Sequence, residues 1–475
     1  MSTPEDSETS SKGSDRVPAF SEVHVIEVNR ENFEKIWPYL LICVKSADFT
    51  AMDLEFSGLN SKGLRNRDVE ERYKSIRECA HTRSILSVGI ACMKLTHKNE
   101  KRHRLRYETQ VFNILTLSEK PFTIEPDALQ FLARHSFDFN RLIQSGVQFQ
   151  GANCPLKTLF HELLSSSATF CLHNGFIDLA FIHKQLYGVE LPETLDEFVN
   201  NLSDLFPAEF LPLADSKYLA EYQSRMKSSF LEFVFRRSQG DNEIDRQASR
   251  IHIDTVFPDT TSLSKPIRES IEKVDVKLPE DFPNHPIPID LHIHVCKNFA
   301  SHGFCHQRTT AKGCAKWHDV DAAIDLARIA ENKKAFKRKR RFSKVIAESA
   351  AEKIEADQEA WKAAKFEKEL LTRDFRNQQR NVVTGSHRAG VDAFMTVFAV
   401  VYQQRASLWA KDQCDGEFTN RIPLSAKDIP LHIRRRQVIE GKSDGTDHKY
   451  NMKVIEKRRE YVRKNAVSNL DAEKN

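Results

Sequence analysis

No stretch of this 475-residue chain is apolar for long enough to cross a membrane. A spanning helix needs roughly 18–20 apolar residues, and the longest run here is FMTVFAVVY at 394–402. No membrane partner is therefore expected. The opening MSTPEDSETSSKGSDR lacks the apolar core of a secretory leader or the character of a transit peptide, and 1–20 is expected to be a disordered tail. A large excess of one sign of charge is also lacking. The formal net charge is only +4, so the average says little about partners and local clusters must carry that argument. Nine cysteines, an odd number, argue against a disulfide framework and for a reducing compartment. There is no internal repeat.

What is present is an alternation of strand-like and helix-like segments. VHVIEV, FTAMDLEF, SILSVGIACMKLT, YETQVFNILTL and ATFCLH read as strands. NFEKIWPYLLICVKS, DVEERYKSIRECAHT, CPLKTLFHELLSSS and FIDLAFIHKQLYG read as helices. KYLAEYQSRMKSSFLEFVFRRS (217–238) reads as one long helix. Such alternation predicts an α/β fold with helices on the faces of a sheet. After residue 255 the texture changes to proline-rich connectors, a cysteine cluster and a highly charged stretch, and at 387 an apolar segment returns.

Three places carry acids that solvent exposure alone does not explain. In AMDLEFSGL, alternation puts Asp53 and Glu55 on one face of a strand and Met52, Leu54 and Phe56 on the other. In TFCLHNGFIDLAFI, Asp178 falls in the first turn of a helix just past the C-terminal end of a strand, where open α/β sheets bind ligands. In GSHRAGVDAFMTVF, Asp392 opens a strongly apolar helix five residues after His387. On one helix those two would stand ~140° apart, so His387 must lie in the loop ahead of the helix to share a site with Asp392. Four converging carboxylates repel unless divalent cations sit between them. Mg²⁺ takes oxygen ligands of this kind, two metals suit phosphoryl transfer, and a histidine can take a proton from water.

The order and spacing of these positions resemble the DEDD exonuclease superfamily, histidine subtype. DLEFSGL, ERYKSIRECAHTRSILSVGIACM, VFNILTL, FLARHSFDFNRLIQSGV, HNGFIDLAFI, FPAEFLPLADSKYLAEY and HRAGVDAFMT resemble blocks of the CAF-type and poly(A)-specific ribonuclease family. Within it the chain is most similar to the target-of-early-growth-response branch, which NRIPLSAKDIPL also fits. The resemblance implies an RNase H-like mixed sheet with flanking helices. It implies Asp53, Glu55, Asp178 and Asp392 as ligands of two Mg²⁺ ions and His387 as general base. Ser87 stands where many relatives have glutamine and is read as packing; Asp215 is read as structural, and Phe56 as core.

CKNFASHGFCHQRTTAKGCAKWH sets Cys296, Cys305, Cys314 and His318 in a C-x8-C-x8-C-x3-H array. Three thiolates and an imidazole suit a tetrahedral structural Zn²⁺. The string resembles a CCCH zinc finger, with a middle gap three residues longer than usual and with His302 and His306 near enough to substitute. Such fingers bind single-stranded RNA by stacking and edge hydrogen bonds, for which Phe299, Phe304 and Trp317 are the available aromatics. KKAFKRKRRFSK (333–344) packs eight basic residues into twelve, a density that suits nuclear import or RNA-backbone contact. Lys337, Arg338, Lys339, Arg340 and Arg341 are its centre.

These expectations divide the chain into a tail (1–20), a first nuclease part (21–285), the finger (286–320), a charged linker, helical or disordered, bearing the nuclear localisation signal (321–380), a second nuclease part (381–435) and a polar basic tail (436–475). The resemblance implies a metal-dependent 3′→5′ exoribonuclease acting on RNA 3′ tails, poly(A) or small nuclear RNA extensions. It would work in the nucleus, in Cajal bodies or speckles, with an import receptor as partner. A non-catalytic RNA-binding scaffold and a DNA exonuclease of the same superfamily are the alternatives.

Overall fold

In the computed structural model, which describes residues 20–59, 63–151, 154–279, 282, 294–309, 313–342, 388–424, 427–435 and 446–472, the alternating segments build a nine-stranded mixed sheet. Its strands are β1 (Glu22–Val28), β2 (Phe49–Phe56), β3 (Ile85–Asn99), β4 (Arg104–Ser118), β5 (Val147–Phe149), β6 (Thr169–Leu172), β7 (Leu213–Asp215), β8 (His252–Val256) and β9 (Ile271–Asp275). They run in the order β7-β6-β2-β3-β4-β1-β9, with β5 and β8 also paired to β4. β2, β3 and β4 are antiparallel neighbours, whereas β6 runs parallel to β2 and β1 parallel to β4.

Helices cover both faces. The earlier ones are α1 (Phe33–Ser46), α2 (Val69–Thr82), α3 (Pro126–Arg134), α4 (Phe139–Ser145), α5 (Pro155–Ser165), α6 (Phe176–Phe181) and α7 (Leu195–Leu205). After them come α8 (Ser216–Tyr218), α9 (Leu231–Gln247), α10 (Lys265–Glu269), α11 (Lys297–His302), α12 (Val320–Phe342), α13 (Ala389–Lys411) and α14 (Thr446–Ala472). Among the described residues no helix is long and apolar enough to cross a membrane.

The alternation in β2 sorts its side chains between two cores. Met52 and Leu54 pack with α1, α2, α5 and α7 on one face. Phe49 and Ala51 pack on the other with Val391, Phe394, Val397 and Phe398 of α13. Asp53 and Glu55 continue the second register, so they face α13. That helix is buried nearly all round between the sheet and α9, as its unbroken apolar texture requires.

Two glycines set how closely α13 approaches. A Cβ at Gly89, which pairs with Asp53, would lie 1.8 Å from the Ala389 carbonyl oxygen. A Cβ at Gly390 would lie 2.9 Å from Asn113 Cβ. The start of α13 therefore rests on the backbone of the central strands, and Asp392 arrives one turn later.

Several elements depart from the sequence reading. The helix expected over 217–238 breaks between Ser224 and Phe230, where Arg225 takes a positive φ of 51°. β8 and β9 lie within or beside segments read as connectors; β9 pairs antiparallel with β1. The stretch expected as a linker begins with α12, whose Ala323, Ile324 and Ala327 are buried. Arg236 clamps it through both oxygens of Asp321, at 3.2 and 2.8 Å. The expected basic tail contains α14, which docks on α5 and α7. Its anchor is Arg459, fully buried, which donates to the carbonyls of Leu164, Asp204 and Leu205 at 3.0, 3.2 and 2.7 Å. Those carbonyls belong to the last turns of α5 and α7, which lack intrahelical partners and favour a cation. The expected tail 1–20, apart from Phe20, and the remainder of the linker lie outside the described residues.

Gly89→Ala is expected to destabilise the protein by about 1–3 kcal/mol or more, because a backbone carbonyl cannot move aside as a side chain can. Urea denaturation of the variant against wild type measures it.

Candidate active site

β2 ends at the middle of the sheet with Asp53 and Glu55 toward α13, and the first turn of α13 brings Asp392 over them. Carboxylate oxygens of Asp53, Glu55 and Asp392 all lie within 4.8 Å of one another. Glu55 and Asp392 are buried, at 9% and 7% exposure, and Asp53 is half-buried. Asp178 enters from the side. β6 runs parallel to β2, and the turn after it starts α6 with Asp178 in the first turn. It stands outside the 4.8 Å group but within electrostatic reach, since its charge acts on both Asp53 and Glu55.

Crowding shows in the protonation of these groups. Burial, then the charges of Asp392, Asp178 and Glu55, push the Asp53 carboxyl well above the usual range. Burial, then Asp392 and Asp178, do the same to Glu55. Burial raises Asp178 to about 7 against an opposing backbone hydrogen bond, with Asp215 adding to the rise. Among the described residues no lysine or arginine forms an ion pair with Asp53, Glu55 or Asp178. Oxygen donors gathered this closely fit divalent metal ions with hard-oxygen preference.

The surrounding residues hold this geometry. Asp215, fully buried, accepts from the Gly175 N–H at 2.9 Å and from the Lys217 and Tyr218 N–H groups at 2.9 and 3.0 Å. It ties the turn ahead of Asp178 to β7, the structural role read for it. Phe56 packs on Phe181 with ring centroids 4.3 Å apart, a core contact. Ser87 pairs with Glu55 across the strands and its hydroxyl donates to Asn113 Oδ1 at 3.1 Å. The same oxygen accepts from the Gly390 N–H at 3.2 Å, while Asn113 Nδ2 donates to Glu27 at 3.0 Å. Glu27 in turn pairs with Arg388, which also donates to Glu272 at 2.8 Å. The sequence reading missed this chain, although Arg388 adjoins His387 and buried Glu27 sits in the run VIEV of β1. His387 lies outside the described residues. α13 begins at Ala389, after it.

The second cluster forms as expected. Ligand atoms of Cys296, Cys305, Cys314 and His318 lie within 4.8 Å of one another, with Cys296 and Cys314 sulfurs 4.0 Å apart. A tetrahedron of ~2.3 Å Zn–S bonds spaces sulfurs by about 3.8 Å, so the donor set fits Zn²⁺. The aromatics divide. Phe299 is buried against Phe230 and Phe233, which removes it from the stacking set, while Phe304 is 48% exposed. Trp317 stacks on His294. Cys296, Cys305, Phe299, Phe233 of α9 and the start of α12 make one small core. The basic run from Lys337 to Arg341 lies on α12.

Residues 28–155 and 152–400 match the model of the CAF1 family ribonucleases. The chain belongs to that family. Among CAF1-related curated proteins, it is 26% identical over 197 residues to the poly(A)-specific ribonuclease PARN of Danio rerio, covering 38% of this chain and 28% of that one. It is 25% identical over 148 residues to the poly(A)-specific ribonuclease PNLDC1 of Mus musculus, covering 29% and 28%. The matched segment thus spans less than a third of either relative's length. The solved Mg²⁺- and Mn²⁺-bound form of S. pombe Pop2p aligns at 16% identity and a TM-score of 0.32, over 42% of this chain and 76% of its own.

Because Asp178 titrates near 7 when folded, against 3.8 for an ordinary aspartate, the folded metal-free protein holds more protons than the unfolded chain between those values. Its stability is therefore expected to fall as pH rises through that window. Mn²⁺ or Mg²⁺ should restore it, with a larger thermal shift at pH 8 than at pH 5; a shift independent of pH would contradict the crowded-carboxylate site. Because the cysteine cluster shares its core with α9, Cys305→Ser is expected to lose zinc and also lower the melting temperature. Zinc content by mass spectrometry and a thermal melt check both.

Proposed function

We propose that this chain is a divalent-metal-dependent 3′→5′ exoribonuclease that shortens adenosine-rich or extended RNA 3′ ends, small nuclear RNAs among them. The observation that carries the reading is the convergence of Asp53, Glu55 and Asp392, with Asp178 acting on them, inside the segment matched to the CAF1 ribonucleases. In this reading Asp53, Glu55, Asp178 and Asp392 hold two Mg²⁺ ions. Bound there, the cations would lower the pKa of water and neutralise charge building on the phosphodiester. His387 takes the proton of the water that attacks the terminal phosphorus. The bond from phosphorus to the 3′ oxygen breaks, leaving a 3′-hydroxyl on the shortened RNA and releasing a 5′-nucleotide. Glu27, Asn113 and Arg388 act as positioning residues, since they fix the backbone between His387 and Asp392.

Cys296, Cys305, Cys314 and His318 would hold a structural Zn²⁺, and Phe304 is the exposed finger ring that a base can meet. The dense basic run around Lys337, Arg338, Lys339, Arg340 and Arg341 supports import to the nucleus by an import receptor.

The test is purified protein with Mg²⁺ on 5′-labelled RNA bearing an adenosine tail, beside matched DNA. Wild type is expected to yield a ladder shortening from the 3′ end and to spare the DNA. Asp53→Ala should abolish it, and His387→Ala should slow turnover by about 10²–10⁴-fold with metal binding retained. Full activity in Asp53→Ala overturns the assignment; RNA binding without cleavage by wild type favours the scaffold reading, and equal cleavage of DNA the DNA exonuclease.

A further inference from the structure

The solvent side of α14 carries a pattern that docking of the helix does not require. His448, Ile455 and Arg459 point inward, at 3%, 0% and 0% exposure. At ~100° per residue, Tyr450, Lys453, Lys457, Tyr461 and Lys464 fall within a stripe about 80° wide on the opposite side. Tyr450 and Tyr461 are each 69% exposed, the lysines are exposed, and none of the three lysines forms an ion pair with a described residue. The one described carboxylate at the margin of the stripe is Glu460. From Tyr450 to Lys464 the stripe runs ~21 Å. Two large rings left in water on the same line as three unpaired ammonium groups match what single-stranded nucleic acid needs: charges for the phosphates and flat faces for bases.

A second, independent feature adjoins the stripe. Arg458, ~60° round the helix from Tyr461 and paired with Glu162 at 2.9 Å, overhangs a groove of about 700 Å³ that α1 and α5 complete. Its walls include Phe33 and Trp37, with ring centroids 5.1 Å apart, together with Lys157, His161 and, at its edge, Glu34. The Nε2 of His161 is buried without a hydrogen-bond partner. Volume, aromatic walls and the Lys157 ammonium suit one nucleotide.

We infer that the exposed face of α14, with the groove at its flank, is a binding surface for single-stranded RNA, outside the carboxylate site. The inference rests on the RNA-directed reading above and deepens it. Lys453, Lys457 and Lys464 hold phosphates, Tyr450 and Tyr461 stack bases, and Trp37 receives one base in the groove.

The test is anisotropy of a labelled single-stranded adenosine oligonucleotide with the full chain in EDTA, where no cleavage interferes, over a range of salt. Lys453→Gln, Lys457→Gln and Lys464→Gln together are expected to reduce the salt slope by about 2, from ~0.7 per phosphate contact. Tyr450→Ala with Tyr461→Ala is expected to weaken binding about tenfold or more and leave most of the slope. Trp37→Ala should weaken it severalfold. Melting temperatures of the α14 variants should stay at the wild-type value, since those side chains are in solvent. Wild-type affinity and slope in both α14 variants overturns the surface. So does loss in the lysine variant alone with equal competition by heparin, which marks a general polyanion face. RNA binding through α14 by a chain that cleaves no RNA overturns only the nuclease reading.

Discussion

Carboxylates held a few ångströms apart out of water repel one another, and the arrangement of Asp53, Glu55, Asp178 and Asp392 persists because the fold around them leaves no cheaper alternative. The restraint comes mainly from α13. Its apolar residues are locked between the sheet and α9, and its first turn lies on the strand backbone at Gly89. Asp392 cannot withdraw without unpacking that helix. Asp53 and Glu55 cannot turn away without shifting β2 by one register position, which would drive Met52 and Leu54 into the wrong core. Repulsion is instead relieved by protonation when no metal is bound, and by cations when they are.

The cysteine cluster bears on the same core from the other side of α9. Its residues pack on Phe233, and α12 continues from it along α9 through ion pairs of Arg236 with Asp321 and Arg237 with Glu331. α9 also packs on α13. The cysteine cluster, which lies between the third and fourth acids in the chain, is thus built into the support of the fourth. That placement sets it apart from an appendage on a flexible tether, and it means that disturbing the cysteine cluster would be felt at α13.

Much of the site was legible in the sequence, for physical reasons that differ from residue to residue. Strand alternation alone put Asp53 and Glu55 on one face, and the junction of β6 with α6 marked Asp178. The role proposed for His387 rests on the chemistry of a histidine near the acids and on the resemblance, and the residue lies outside the described ones. The supporting chain of Asn113, Glu27 and Arg388 was not legible, because it joins residues distant in sequence that each look ordinary alone. The docking of α14 escaped because its deepest anchor is Arg459, a residue type that composition reads as surface. β8 and β9 are five residues each and flanked by connectors, too short to show a period. The break ahead of α9 rests on the positive φ of Arg225, which residue type does not announce. Nor could spacing separate buried Phe299 from exposed Phe304.

The most direct test of the central claim, that these acids form a metal centre, is anomalous diffraction from crystals of the chain soaked in Mn²⁺. The expected result is two manganese peaks bounded by the carboxylates of Asp53, Glu55, Asp178 and Asp392, both absent from an Asp53→Ala crystal treated alike. Manganese held elsewhere, with those four carboxylates bare at saturating metal, would contradict it.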